Sequence, residues 1–218
     1  MNSREFKDYV YDQLSKITKS LSSPKRMELL DLLTQGPKTV ESLVSNTQMS
    51  IAIVSQHLKV LHEARIVRYT KKGTYVIYSI SEPDVYSLII SLRHISEKQY
   101  AELRQIKDDF LHARDHYEPI TLVDLKLKME QEDIILLDVR PSDEYEAGHI
   151  PRAINVPIQE LHHHLSLIPK GKEVIAYCRG PYCLYALEAT ELLKEHGIRA
   201  FRIEEGYQEW RIHAGVTH

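Results

Sequence analysis

Apolar residues recur every three or four positions through the first part of the chain. Phe6, Val10, Leu14, Ile17 and Leu21 mark one face of a helix over 4–21. Ser23-Pro24 opens a second helix, with Ser as N-cap and Pro at its first position, and Gly36-Pro37 stops it after Met27, Leu29, Leu30, Leu32 and Leu33. Thr39 starts a short third helix. Ser50 caps a fourth, over 51–64, whose buried stripe is Val54, Leu58 and Leu61. Residues 66–80 switch to period two around Lys71-Lys72-Gly73, the signature of a β-hairpin. Ser81-Glu82-Pro83 then opens a last helix of about 33 residues, about 50 Å long. Its stripe runs Val85, Ile89, Leu92 and Ile95 and, after a polar step at Gln99, Leu103, Ile106 and Phe110.

The pattern changes at Tyr117-Glu118-Pro119, where proline disfavours continuing the helix. A short helix over 121–130 precedes the apolar run 134–139, typical of a parallel strand buried on both faces. Strands are expected at 153–156, 174–178 and 200–203, with a helix over 184–196 ended by Gly197. This alternation predicts an open α/β sheet. Two domains follow: 1–117, mainly helical with a hairpin wing, and 118–218, α/β with a central, mostly parallel sheet.

Composition agrees with a folded chain. Of 218 residues, 43% are hydrophobic and 27% charged, too apolar for disorder, and no run reaches the roughly 18–20 apolar residues of a membrane helix. The start, MNSREFKDYV, has no apolar export segment, so a cytoplasmic protein without membrane partners is expected. The net charge of −3 is uneven: residues 1–120 hold 17 basic and 15 acidic side chains, and residues 121–218 hold 11 and 16. Residues 24–80 alone carry 8 basic against 4 acidic, weak support for a polyanionic partner. The two cysteines, Cys178 and Cys183, are too few and too close to staple a fold, which points to chemical use.

A short helix, a tight turn, a second helix and a basic-tipped hairpin make a winged helix-turn-helix. Its second helix enters the major groove of double-stranded DNA, and Lys71 and Lys72 reach phosphates. Residues 23–80, with "SPKRMELLDLL" and "MSIAIVSQHLKVLHEARIV", resemble the ArsR family of bacterial repressors. The resemblance implies a homodimer built on the first and last helices. It also implies a DNA-facing side carrying Ser50, Ile51, Ser55, Gln56, His57 and Lys59. Ile51 departs from the polar residue common there and suits a thymine methyl group rather than a bidentate hydrogen bond. The bland alternative for His57 is packing between helices. Family members often sense metals or thiols. No cysteine precedes residue 178, whereas Asp108, His112 and His116 fall on one helical face at metal-ligand spacing, with a solvated helix end as the alternative. No cofactor is expected.

Candidate chemistry centres on Tyr177-Cys178-Arg179-Gly180-Pro181-Tyr182-Cys183, between a strand and a helix. Amides at a helix N-terminus stabilise an anion and lower a thiol pKa, and Arg179 adds positive charge, so Cys178 is placed as a nucleophile. This half resembles a single-domain rhodanese. "LLDVRPSDEYEAGHIPRAINVP" carries Asp138, Arg140, Glu144, Gly148, His149, Ile150, Pro151 and Ala153 of one family signature, and "EGYQEW" carries Gly206 and Trp210 of the other. The resemblance implies that those residues mainly support the fold, and that Cys178 forms a persulfide and passes its sulfur to a thiol. Many rhodaneses have Arg five positions after the cysteine, to bind donors such as thiosulfate. Cys183 stands there instead, which favours small persulfides or polysulfides as donors. Leu184, six after the cysteine, argues against the related phosphatase chemistry. Cys183 offers an internal acceptor that resolves the persulfide, with an inert buried thiol as the alternative. His162-His163-His164 cannot share one helical face and is read as solvated.

The combined expectation is a DNA-binding repressor whose rhodanese domain senses or transfers sulfane sulfur through Cys178. Two other readings stay open: a sulfurtransferase with an autoregulatory DNA-binding domain, and a metal-responsive repressor.

Overall fold

The computed structural model describes residues 1–114, 119–131, 133–169 and 171–215. It divides into two compact units, Met1–Ile89 and Ile90–His218.

In the first unit, α1 (Ser3–Leu21) starts at a capping box in which Asn2 accepts from the N–H of Arg4 and Glu5. Helices α2 (Pro24–Thr34), α3 (Val40–Ser45) and α4 (Ile51–Glu63) start at Ser23, Thr39 and Ser50, each accepting a backbone N–H of its own first turn. Between α2 and α3, the two-residue strand β1 (Lys38–Thr39) adds to the hairpin, which the alternation alone did not reveal. Strands β2 (Val67–Lys72) and β3 (Tyr75–Ile80) pair antiparallel, Lys72 opposite Tyr75, around Gly73 at φ 61°. Leu29, Leu30, Leu33, Leu43, Val54, Leu58 and Leu61 are fully buried in one core, with Ile66, Val67, Ile80 and Ile89 around them. Each such side chain contributes about 1.5–3 kcal/mol on leaving water.

The expected long final helix is broken. Helix α5 (Pro83–Gln99) ends at Tyr100, whose φ of −109° and ψ of 91° are extended, and α6 (Ala101–His112) starts afresh. In a straight helix, residues 97 and 107 would lie about 15 Å apart along the axis. The break brings Lys107 Nζ to 3.6 Å from Glu97 and 2.6 Å from Glu204, while Arg104 donates to the Glu97 carbonyl at 3.1 Å. Tertiary ion pairing therefore overrides helical periodicity here.

The second unit continues with α7 (Leu122–Gln131), β4 (Ile134–Asp138), α8 (Ser142–Ala147), β5 (Ile154–Asn155), α9 (Ile158–His164), β6 (Glu173–Tyr177), α10 (Tyr185–Glu195), β7 (Ala200–Arg202) and α11 (Tyr207–His213). Among the described residues its four strands are all parallel, in the order β5-β4-β6-β7. Strand alternation sorts the core into two clusters. Leu137, Val139, Val174, Ala176 and Cys178 pack with Leu161 of α9 and with Ala186, Ala189 and Leu193 of α10. Leu136, Ile175 and Tyr177 pack with Leu125 of α7 and with Ile150 and Ile203. Both faces of the sheet are thus covered, as an all-parallel sheet requires.

Candidate functional site

The direction of the sheet reverses between β4 and β6, because β5 lies on one side of β4 and β6 and β7 on the other. Ligands of open α/β sheets gather at the C-terminal ends of strands beside such a point. Cys178 is the first residue after β6, and the loop 178–184 leads into α10. It continues the alternation of Val174 and Ala176, which turns its side chain onto the α10 face and leaves it 2% exposed. Cys178 Sγ lies 3.3 Å from the carbonyl oxygen of Cys183 and 4.0 Å from that of Gly180. The loop therefore brings the two expected cysteines together. Both are free thiols, Cys183 less buried.

Their acidities divide differently from the expectation. Burial pushes the Cys178 thiol well up, and hydrogen bonding and charge repulsion from Cys183 add to this, against the N–H groups of Ala186 and Gly180. Cys183 is lowered, first by its hydrogen bond with Cys178, then by the N–H groups of Arg179 and Tyr185 and by the Arg179 charge, with burial opposing. Cys183 is thus the more acidic thiol of the two. A helix N-terminus was expected to acidify Cys178. Its amides do act on it, but desolvation outweighs them.

Arg179 is not a free charge above the loop. Its Nη2 donates to Glu144 Oε1 at 2.7 Å and its Nε to Oε2 at 2.9 Å, and the Glu144 carboxylate is fully buried. Burial works against the Arg179 charge, yet Glu144 outweighs it and the pKa is raised. The guanidinium also lies 5.2 Å from the centre of the Tyr185 ring. Asp138 and Arg140, wholly buried at the end of β4, form a second such pair at 2.6 Å, and Arg140 also holds the Gly148 carbonyl at 2.8 Å. Gly206 packs so closely on the Arg179–Gly180 backbone that no Cβ fits there. Pro181 is half-buried and Tyr182 is 47% exposed. The Tyr182 hydroxyl donates to Glu97 Oε1 at 2.8 Å.

Glu144 entered the sequence reading only as a fold residue, although it holds the loop arginine. Glu209, which also bears on this loop, lies within the quoted "EGYQEW" without having been singled out, and Glu97 carried no sequence signal. A cleft of about 1070 Å³, lined by His162, Lys172, His196 and Arg199 among others, opens where β6 and β7 begin, at the other end of the strands from Cys178. His162 and His163 are exposed and His164 half-buried.

In the first unit, Ile51, Ser55, Gln56 and Lys59 are exposed along α4, and Ser50 accepts from the N–H of Ile53 at 3.4 Å. His57 is half-buried. Lys71 and Lys72 are exposed beside the hairpin turn. Among the described residues no group of three or more His, Cys, Asp or Glu is placed to hold a metal. Asp108 lies on α6, whereas His116 and the side chain of His112 fall outside the described residues. No described helix is long and apolar enough to cross a membrane.

Comparison with known proteins covers both halves. The family model for the rhodanese-like domain matches residues 121–213, and that for the bacterial regulatory protein, arsR family, matches residues 23–69. The HTH-type transcriptional regulator Rv0324 of Mycobacterium tuberculosis is 34% identical over 201 residues, 92% of this chain and 88% of its own. A sulfurtransferase of Allochromatium vinosum is 31% identical over 84 residues, 38% of this chain and 78% of its own. Among solved structures, the homodimeric winged helix-turn-helix DNA-binding domain of Mb0332 from Mycobacterium bovis is similar at 28% identity and a TM-score of 0.43, over 46% of this chain and 91% of that one.

Proposed function

The chain belongs to the ArsR-type regulators that carry a C-terminal rhodanese-like domain, and from that premise we propose that it is a homodimeric repressor whose hold on operator DNA is set by sulfane sulfur on Cys178. The observation that carries this reading is the loop 178–183, where two free thiols meet at the end of β6. In this reading residues 1–117 bind DNA and dimerise, and residues 118–218 handle sulfur.

The chemistry needs no cofactor. Cys178 gives its proton to the Cys183 thiolate, and its sulfur attacks the terminal sulfane sulfur of a small persulfide or polysulfide. The donor's S–S bond breaks, its remaining thiolate leaves with the electron pair, and Cys178 becomes a persulfide. Once Cys183 is deprotonated again, its thiolate attacks Cys178 Sγ, expels hydrosulfide and closes a disulfide. Arg179, held by Glu144, keeps the loop in shape for both steps.

Operator contact is assigned to Ser50, Ile51, Ser55, Gln56, His57 and Lys59, with phosphate contact to Lys71 and Lys72. The exposure of Ile51, Ser55, Gln56, Lys59 and both wing lysines supports this. Dimerisation is supported by apolar side chains left exposed on α1 and α5, including Phe6, Leu14 and Ile95.

To switch occupancy, sulfur loading must cost on the order of 3–5 kcal/mol of DNA binding. The test is an operator titration with and without polysulfide, on samples whose Cys178 modification is verified by intact mass. Unchanged affinity at full modification would overturn the sensing role. The free Cys178 thiol also supports a second reading, a sulfurtransferase whose DNA-binding half localises or autoregulates it. Sustained turnover with a thiol acceptor, together with sulfur-independent DNA binding, would favour it.

A further inference from the structure

The loop that carries Cys178 has an inner and an outer side, and one helix touches the outer one. On the inner side Cys178 Sγ is walled by the carbonyls of Cys183 and Gly180, at 3.3 and 4.0 Å, and by the Ala186 and Ala189 side of α10. On the outer side the backbone at Gly180 is covered by Arg93 and Glu209. A Cβ there would stand 3.2 Å from Arg93 Nη1 and 3.5 Å from the Glu209 carboxylate. Arg93 of α5 and Glu209 of α11 form an ion pair in which each side chain is 9% exposed. The Arg93 guanidinium also lies 5.3 Å from the centre of the Tyr182 ring, whose hydroxyl donates to Glu97. Glu97 is in turn held by Lys107. Glu209 caps its own helix through the Gly206 N–H at 3.0 Å, and Gly206 is the residue that abuts the loop backbone.

We propose that Arg93 and Glu97 couple the sulfur loop to α5, which through them reads whether Cys178 carries an extra sulfur. This rests on the sensing role proposed above. A persulfide forms when Cys178 Sγ bonds to the end of a polysulfide, whose S–S bond breaks and whose shortened chain leaves with the electron pair. Cys178 is only 2% exposed, so in a close-packed surrounding the added atom displaces what lies beside it. The sheet and α10 are fixed by the core, so the loop from Gly180 to Cys183 yields. Gly180 and Tyr182 are the points of that loop on which Arg93 and Glu97 bear. Both residues sit in the last two turns of α5, whose earlier residues Val85, Tyr86 and Ile89 pack in the core of the first unit. Helix α5 thus contributes residues to both units, Val85, Tyr86 and Ile89 to the core of the first and Arg93 and Glu97 to the outer side of the loop in the second.

The test uses the full chain, inorganic polysulfide as donor, and a duplex selected by the unloaded protein from a random-sequence pool. Affinity is measured before and after loading, with modification verified by mass, for wild type, Glu97→Ala and Arg93→Met. Loading is expected to weaken wild-type binding by about a hundredfold or more, and both variants by less than about threefold. The variants should take up the same sulfur and bind the duplex normally when unloaded. A merely structural role would lower melting temperature and leave the loaded-to-unloaded ratio intact, so variants that respond like wild type overturn the proposal. So do variants that no longer accept sulfur, because they would place these residues in the transfer itself. Should Arg93→Met fail to fold, Tyr182→Phe, which deletes only the hydroxyl bonded to Glu97, gives the same comparison of ratios. A fully loaded wild type with unchanged affinity instead overturns the sensing role, and this inference with it.

Discussion

Glu144, fully buried on α8, grips the guanidinium of Arg179 with both carboxylate oxygens, across 35 positions of sequence. The pair anchors the residue next to Cys178. Replacing Glu144 with Gln leaves a buried guanidinium without its counter-charge, which costs about 3–5 kcal/mol. Urea unfolding of Glu144→Gln should show that loss, and sulfur uptake by Cys178 should slow in the same protein.

The acidities of the two thiols set their order of reaction. Cys183, lowered by its contact with Cys178 and by loop amides, is expected to be alkylated first and below the ordinary thiol pKa of about 8.5. Cys178, raised by burial, should follow only at higher pH. Peptide mapping after iodoacetamide pulses along a pH series reads both. Stability follows with a definite sign. A thiol whose folded pKa is raised favours the fold below its unfolded pKa, and that contribution disappears as pH climbs to the folded value. Cys183→Ser should therefore lose stability relative to the double variant Cys178→Ala/Cys183→Ser as pH rises above about 8.5.

Substituting each cysteine separates the two sulfur steps. Cys178→Ser is expected to gain no sulfur from polysulfide. Cys183→Ser should gain one sulfur atom and keep it, because the thiolate that would expel hydrosulfide is gone. Intact mass, followed by reductant treatment, distinguishes a retained persulfide from a closed disulfide.

At the wing, Lys71→Ala and Lys72→Ala should weaken binding to every duplex alike. Each removes a phosphate contact, so the slope of log affinity against log salt should fall by about 1 per substitution, with the ranking of base changes unaltered. Salt titrations on two unrelated duplexes check both statements.

Leu14 is 55% exposed on α1, in the stripe of Phe6 and Ile17. Leu14→Asp should shift the monomer–dimer equilibrium by about tenfold or more toward monomer in sedimentation experiments. It should change the stability of the isolated subunit by no more than about 0.5 kcal/mol, as a surface substitution does.

Much of the architecture was legible because its causes are local. Ser23, Thr39 and Ser50 cap the helices that they precede, since a cap needs only a hydroxyl within hydrogen-bond reach of the next turn. The hairpin over 67–80 and the apolar strands of the α/β half were written in period two and in uninterrupted apolar runs. The cysteine loop was likewise visible as two cysteines five positions apart between a strand and a helix. Long-range pairing left no such trace. Periodicity alone carried one helix through Tyr100, and it failed where Lys107 meets Glu97 and Glu204.

The amino-acid sequence by itself determined the two kinds of domain, the starts of α2, α3 and α4, the wing and the place of the two cysteines between a strand and a helix. Each depends on residues within a turn or a strand of one another. Tertiary structure decided how those cysteines behave. It buried Cys178 on the α10 face, so that desolvation raised the thiol that the helix end alone would have acidified. It tied Arg179 to Glu144, Tyr182 to Glu97 and Arg93 to Glu209, partners 35, 85 and 116 residues apart. Charge and burial act through space, and only the folded chain sets those distances.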